Sequence, residues 1–206
     1  PNFEYNENFE KFIILLKNEE YIESVYYKKP NQKEKEKKGK KLKKIFNKTD
    51  DKDLYDKIMK IYNDTLDERI ATFNIEHIDE DKVRKWKENG VFLVAKSKDS
   101  VIGFVRSYPY SARSCYSGIA EFSIYISSQG RGKGVGSLLM NDFLEVLISE
   151  GKWKVLSRVF PENLPSLFLL RKHEFREVGT YRNHATLDGV WRDVVIVERL
   201  LRSSNR

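Results

Sequence analysis

The sequence predicts one α/β sheet covered by helices on its faces. Short runs of β-prone residues alternate along the chain with runs of helical apolar spacing, and 40% of the 206 residues are hydrophobic, enough for one core. At the N-terminus, Phe9, Phe12, Ile13 and Leu16, then Tyr21, Ile22, Val25 and Tyr26, recur at helical spacings and predict a helical extension over residues 1–27. Residues 28–48 read as a lysine-rich linker, and 49–206 as the main domain. There Thr49 or Asp50 can cap a helix that carries Leu54, Ile58, Ile61 and Tyr62 on one face. A second helix starts at Asp79, with Val83 and Trp86 inward. Residues 91–95 and 101–105, joined through Ser97-Lys98-Asp99-Ser100, read as a β-hairpin, and 119–126 as another strand. A glycine-rich turn leads into an apolar helix with Leu139, Met140, Phe143, Leu144 and Leu147. Residues 153–160 follow as a strand and 165–171 as a helix with Pro165 in its first turn, where a missing N–H costs little. The chain closes with strands over 175–181 and 190–201, joined through the turn signal Asp188-Gly189.

Charge is unevenly spread. The formal net charge is +7, from 38 Lys+Arg against 31 Asp+Glu. Between Lys28 and Lys48 there are eleven lysines and two glutamates, a balance of +9 that leaves −2 for the rest. The run reads first as a solvated linker, because no stacking aromatics interleave with its lysines; a nucleic-acid tether is the lesser reading. The single cysteine, Cys115, and three scattered histidines, His77, His173 and His184, offer neither a disulfide nor zinc-ligand spacing, so no metal is expected. No apolar run approaches the roughly 20 residues that cross a bilayer, and Pro1-Asn2-Phe3-Glu4-Tyr5 does not open a signal peptide. The expectation is a cytoplasmic protein without a membrane partner.

The most informative stretch is Ile124-Tyr125-Ile126-Ser127-Ser128-Gln129-Gly130-Arg131-Gly132-Lys133-Gly134-Val135-Gly136. A strand runs through a glycine-rich turn into a helix. Glycines remove the Cβ atoms that would hold a ligand off the backbone, and the first amides of the helix face an anion with the dipole behind them. Arg131 and Lys133 add charge, which makes a pyrophosphate cradle. A Walker loop fails because Gly134 follows Lys133, and the G-x-G-x-x-G spacing fails at Val135 and Ser137.

The pattern R/Q-x-x-G-x-G/A is present as Arg131-Gly132-Lys133-Gly134-Val135-Gly136, and it resembles the acetyl-CoA loop of the GNAT superfamily of N-acetyltransferases. In chain order Ile61-Tyr62-Asn63-Asp64, Thr72-Phe73-Asn74-Ile75-Glu76, Trp86, Ala120-Glu121-Phe122-Ser123, Glu162-Asn163 with Ser166, Phe175-Arg176-Glu177-Val178-Gly179 and Trp191-Arg192-Asp193-Val194 resemble the phosphinothricin acetyltransferase subgroup. The resemblance runs from about Lys44 to Leu201. It implies the GNAT fold, a mixed and mostly antiparallel sheet with helices on both faces.

The resemblance also implies a site. Acetyl-CoA, as co-substrate, would lie against Ile124, Tyr125 and Ile126, with its pyrophosphate on Arg131, Gly132, Lys133, Gly134, Val135 and Gly136. Asn163 and Ser166 would meet its arm, although Asn163 also reads as a helix cap. An attacking amine must shed a proton, a task for a carboxylate in a partly dry cleft; Glu121, in a β-prone strand, matches the subgroup's general base and reads otherwise as a structural ion pair. Phe73, Asn74, Glu76, Tyr110, Arg113 and Tyr116 would form the acceptor pocket, with Arg113 clamping a carboxylate and the aromatics walling the stem or merely packing. Two positions depart from the pattern: Leu170 stands where members place a thiolate-protonating Tyr or His, and Glu174 replaces a glycine. The function so implied is direct acetyl transfer to the primary amine of a small amino-acid-like acceptor of the phosphinothricin or methionine sulfone type, with a homodimer as the assembly common among members. The alternatives are a peptide or aminoglycoside amine as acceptor, or a non-catalytic module that senses acetyl-CoA or binds nucleic acid.

Overall fold

The computed structural model describes residues 11–15, 21–26, 52–97 and 100–201. Its strands are β1 (Lys11–Leu15), β2 (Tyr21–Tyr26), β3 (Phe92–Ser97), β4 (Ser100–Pro109), β5 (Ile119–Ile126), β6 (Lys154–Val159), β7 (Arg176–Leu187) and β8 (Val190–Leu200). Its helices are α1 (Lys52–Asp67), α2 (Glu80–Glu88), α3 (Val135–Ser149) and α4 (Leu164–Lys172). The strands form one sheet in the order β1-β2-β3-β4-β5-β6-β8-β7, antiparallel throughout except where β5 meets β6. This is the mixed, mostly antiparallel sheet the sequence leads to, six strands of it lying beyond residue 91.

The N-terminal extension differs from expectation. Lys11–Leu15 and Tyr21–Tyr26 are strands, not helices, and β2 pairs antiparallel along β3, from Ile22/Ser97 to Tyr26/Leu93. Over segments this short, apolar spacing fits both periods. What decides is composition, aromatic and β-branched in both runs, together with the edge of β3, whose unpaired N–H and C=O groups accept another strand. The lysine-rich run at 28–48 and the caps at Thr49 and Asp50 lie outside the described residues.

Helices cover both faces. The stripe Leu54, Tyr55, Ile58, Ile61, Tyr62 and Leu66 of α1 packs with Val83 and Trp86 of α2 on Phe92, Val94, Phe104 and Tyr125. On the opposite face Leu139, Met140, Phe143 and Leu147 of α3, with Leu167 and Leu170 of α4, cover Leu93, Val105, Ala120 and Phe122. The start of α2 is fixed as expected, Asp79 Oδ1 accepting the Lys82 N–H at 2.9 Å. Asp188 and Gly189, at φ 50° and 78°, close the β7–β8 hairpin in the two-residue turn that needs φ > 0 at both positions.

The alternation of β5 divides these faces. Ala120, Phe122, Ile124 and Ile126 turn toward α3, while Tyr125 belongs to the α1–α2 side, and the two-residue period puts Glu121 and Ser123 there with it.

Candidate active site

The parallel pairing of β5 with β6 covers only Ile119/Lys154, Ala120/Val155 and Glu121/Leu156. β5 then continues to Ile126 and β6 to Val159, so the two strands part and leave a wedge. The Ser157 hydroxyl closes its apex by donating to the Phe122 carbonyl at 3.0 Å. The other edge of β5 stays paired with β4 as far as Gly103/Ile126, while the wedge-side edge past Phe122 has no strand partner among the described residues. The resulting cleft of about 210 Å³ is lined by Ile124, Tyr125 and Ile126 of β5, Arg158 of β6, Asn163, Ser166 and Leu170 around α4, and Arg131. Asn163 ties the walls together: its Oδ1 caps α4 on the Ser166 N–H at 3.2 Å, and its Nδ2 donates to the Ile70 carbonyl at 3.1 Å, in the connection between α1 and α2.

The glycine-rich turn leads from β5 into α3. Gly132 and Gly134 have φ +74° and +82°, and no atom lies within 4 Å of where a Cβ would stand on either. Gly134 is the left-handed N-cap of α3. The first bond of that helix runs from the Leu138 N–H to the Gly134 carbonyl at 3.1 Å, so the amides of Val135, Gly136 and Ser137 precede its ladder. Gly136 has a different reason: a Cβ there would come within 3.1 Å of Leu169 on α4. A cradle of open backbone at a helix N-terminus fits a phosphate group. Arg131 bends back over it, donating to the Ile126 carbonyl at 3.2 Å and pairing with Glu68 at the end of α1 at 2.8 Å.

On the α1–α2 side of the wedge lies a polar and aromatic layer. Glu121 is buried and pairs with Arg158 Nη1 at 2.5 Å. Tyr108 stands opposite Glu121 in the β4–β5 register. Burial, with the Glu121 charge behind it, pushes the Tyr108 phenol above its ordinary range. Arg106, level with Ser123, lies over the rings of Trp86 at 4.2 Å and Tyr108 at 4.8 Å. Its Nε is buried without a hydrogen-bond partner among the described residues, and burial lowers its guanidinium from the usual value against the upward pull of neighbouring tyrosines and Glu121. Tyr125, enclosed beside Tyr62, is also pushed up by burial.

The structure brings some of the sequence-derived residues together and leaves others apart. Ile124, Tyr125, Ile126, Arg131, Asn163 and Ser166 line the cleft, and Glu121 sits behind Arg158. Gly132, Lys133, Gly134, Val135 and Gly136 form the turn that Arg131 joins to the cleft. The acceptor candidates line none of it: Phe73 packs edge-on against Phe160 at 4.7 Å, Asn74 donates to the Tyr62 hydroxyl at 2.7 Å, and Glu76 is exposed. Tyr110 meets Tyr116 at 5.5 Å, and the exposed Arg113 lies 5.6 Å over the Tyr116 ring. Leu170 is buried in the cleft wall and has no proton to give. His173, the C-cap of α4, is buried, its Nε2 without a hydrogen-bond partner among the described residues. Sequence reasoning missed Arg158 and Arg106. Their signal was available, since opposite charges at Glu121 and Arg158 interrupt two neighbouring apolar strands.

An opened sheet with a glycine-lined helix start at its mouth and a buried charged pair at its apex defines an α/β domain with a cleft between two parting strands. The Acetyltransferase (GNAT) family model matches residues 56–175, more than half of the chain. The chain belongs to that family and is an N-acetyltransferase. Phosphinothricin N-acetyltransferase of Streptomyces coelicolor is 29% identical over 149 residues, covering 68% of this chain and 87% of the relative. Among solved structures, ribosomal-protein-alanine N-acetyltransferase of Brucella melitensis superposes with a TM-score of 0.68 at 25% identity, over 71% of this chain and 94% of that one. The phosphinothricin acetyltransferase of Sinorhizobium meliloti, solved in complex with acetyl-CoA, shares the fold with a TM-score of 0.67 at 24% identity, over 71% and 83% of the two chains.

Proposed function

We propose that the protein transfers the acetyl group of acetyl-CoA to the primary amine of a small amino-acid-like acceptor, by direct attack with both substrates bound. The observation that carries this is the wedge between β5 and β6, open along the β5 backbone and ending at the glycine-lined start of α3. The Sinorhizobium neighbour, solved with acetyl-CoA, and the Streptomyces relative, named for phosphinothricin, support the cofactor and the acceptor class respectively.

Acetyl-CoA supplies a thioester carbonyl. Its diphosphate would be held by the amides of Val135, Gly136 and Ser137 with Arg131, and its arm by Asn163, Ser166 and the free edge of β5. The acceptor arrives as an ammonium ion and gives a proton, through water, to Glu121. Its nitrogen lone pair then forms the N–C bond as the C–S bond breaks, and the nitrogen gives its second proton to water, leaving a neutral amide and a thiolate. The thiolate takes its proton from solvent, since Leu170 cannot supply one. A peptide amine is the second reading, favoured by the Brucella neighbour.

A thiol-release assay over methionine sulfone, phosphinothricin, an aminoglycoside, a polyamine and an alanyl peptide tests the acceptor. Glu121→Gln keeps the acetyl-CoA Kd, by calorimetry, and lowers kcat on the order of 10²-fold. An unchanged kcat removes Glu121 from the reaction, and a wild-type protein that does not bind acetyl-CoA overturns the proposal outright.

A further inference from the structure

Arg158 interrupts β6 at a place the acyl-transfer reading does not require. The strand otherwise presents Val155, Leu156 and Val159 to the interior. Its two-residue period puts Arg158 on the face of Leu156, the partner of Glu121, and therefore one step further into the wedge. The Arg158 side chain is 48% exposed and lines the cleft, whereas that of Glu121 is 5% exposed. The guanidinium spends one Nη on Glu121, and its remaining donors have no protein partner among the described residues. A half-used cation is thus held at the cleft wall against the carboxylate that receives the acceptor's ammonium.

We propose that Arg158 reads the acceptor's α-carboxylate, and that the Glu121–Arg158 pair occupies the place of a zwitterionic substrate until one binds. An α-amino acid carries its ammonium and carboxylate on the same carbon, so its two charges span a gap of the size that separates a contact ion pair. On binding, the carboxylate takes the planar fork of Arg158 and the ammonium takes Glu121; each protein charge exchanges one partner for another and none is left unpaired. An amine without a neighbouring anion must instead separate the pair and leave Arg158 uncompensated in a narrow cleft, which is unfavourable. The acceptor class is therefore a free amino acid rather than an amidated one, a peptide N-terminus, a polyamine or an aminoglycoside. Arg113, exposed over Tyr116 outside the cleft lining, does not take this part. The inference rests on the acetyl-transfer reading and narrows its substrate.

The test compares kcat/KM for methionine sulfone with that for its α-carboxamide, in the wild type, Arg158→Met and Arg158→Lys. The wild type prefers the acid on the order of 10²-fold, the effect of a charge-assisted bidentate contact. Arg158→Met brings the two acceptors to within about threefold of each other, through the acceptor KM and with the acetyl-CoA Kd unchanged. Arg158→Lys keeps a positive charge beside Glu121, so the fold survives, but loses the fork and falls between the two. A ratio that Arg158→Met leaves intact overturns the inference, as does an equal loss for both acceptors, which would make Arg158 a support for Glu121 alone. Should Arg158→Met not fold, the ratio in Arg158→Lys decides in the same way. A wild type that acetylates no member of the panel refutes the acetyl-transfer reading itself and takes this inference with it, whereas transfer without acid preference refutes the inference alone.

Discussion

Replacing Gly134 by alanine separates the backbone cost of the turn from its role toward a ligand. Gly134 has φ +82°, and no atom lies within 4 Å of the added methyl group, so the substitution meets no clash. What remains is the left-handed conformation itself, worth about 1–2 kcal/mol for a residue with a Cβ. In a chain of 206 residues each kcal/mol lowers Tm by about 2–4 °C, so Gly134→Ala should melt about 2–8 °C lower than the wild type. Gly151, beyond the end of α3, supplies the control. Its φ is +74° and its Cβ position is equally open, so Gly151→Ala should cost the same stability. The two variants should part in calorimetry with acetyl-CoA. A methyl group on Gly134 stands where the diphosphate must approach the amides of α3, and losing one charge-assisted bond of about 1.5–3 kcal/mol weakens binding about 10- to 150-fold. Gly151→Ala should bind as the wild type does. Equal affinities in the two variants would show that the open face of Gly134 holds nothing, and the cradle would have to be abandoned.

Two further outcomes follow from contacts at the rim and under α4. Glu68→Gln releases Arg131 from a part-exposed pair worth about 0.4–1 kcal/mol, so acetyl-CoA should bind about two- to fivefold tighter, an advantage that disappears when Arg131 is also changed to Met. His173 is held below its ordinary range first by burial, then by Lys172 and Arg199, with Glu174 opposing. A depressed histidine contributes stability that is present above its unfolded pKa of about 6.5 and is lost as pH falls, because the unfolded chain takes up the proton first. Urea unfolding of the wild type should weaken from pH 7 to pH 5 more steeply than that of His173→Leu; parallel curves would show that His173 is protonated alike in both states.

The fold was legible because its elements are long enough to show their period. The β5 run alternates cleanly, the α1 stripe repeats over four turns, and the strand-turn-helix at Arg131–Gly136 carries its chemistry in consecutive residues. Where reading failed, the deciding contact was distant in sequence. Lys11–Leu15 and Tyr21–Tyr26 took helical spacing from too few residues, and only the edge of β3, some seventy residues on, makes them strands. Glu121 was legible as an isolated carboxylate in a β-prone strand; its partner, 37 residues later, was not, because β6 meets β5 only through the crossover of α3. Arg113 lies over the ring of Tyr116, outside the cleft lining. Side chains that act together here are grouped by strand register, which a single sequence does not display.

That register also lets one strand present three separate sets of groups. On β5 the side chains of Ala120, Phe122, Ile124 and Ile126 anchor the strand to α3, while Glu121 and Ser123 face the polar layer. The main chain past Phe122, freed by the departure of β6, forms the third set. These roles do not compete, because side chains leave a strand on alternate faces and hydrogen bonds leave it at the edges. A slip of one residue would exchange the rows, burying Glu121 against α3 and turning Phe122 into the polar layer. Two devices prevent it: seven consecutive pairs with β4, from Gly103/Ile126 to Pro109/Ala120, and the Ser157 hydroxyl on the Phe122 carbonyl where the wedge begins. The position of the wedge is therefore fixed relative to Glu121, with the first unpaired stretch of backbone beginning one residue beyond the carboxylate. That adjacency places the Glu121 carboxylate beside the start of the wedge, and it follows from where β5 and β6 cease to pair.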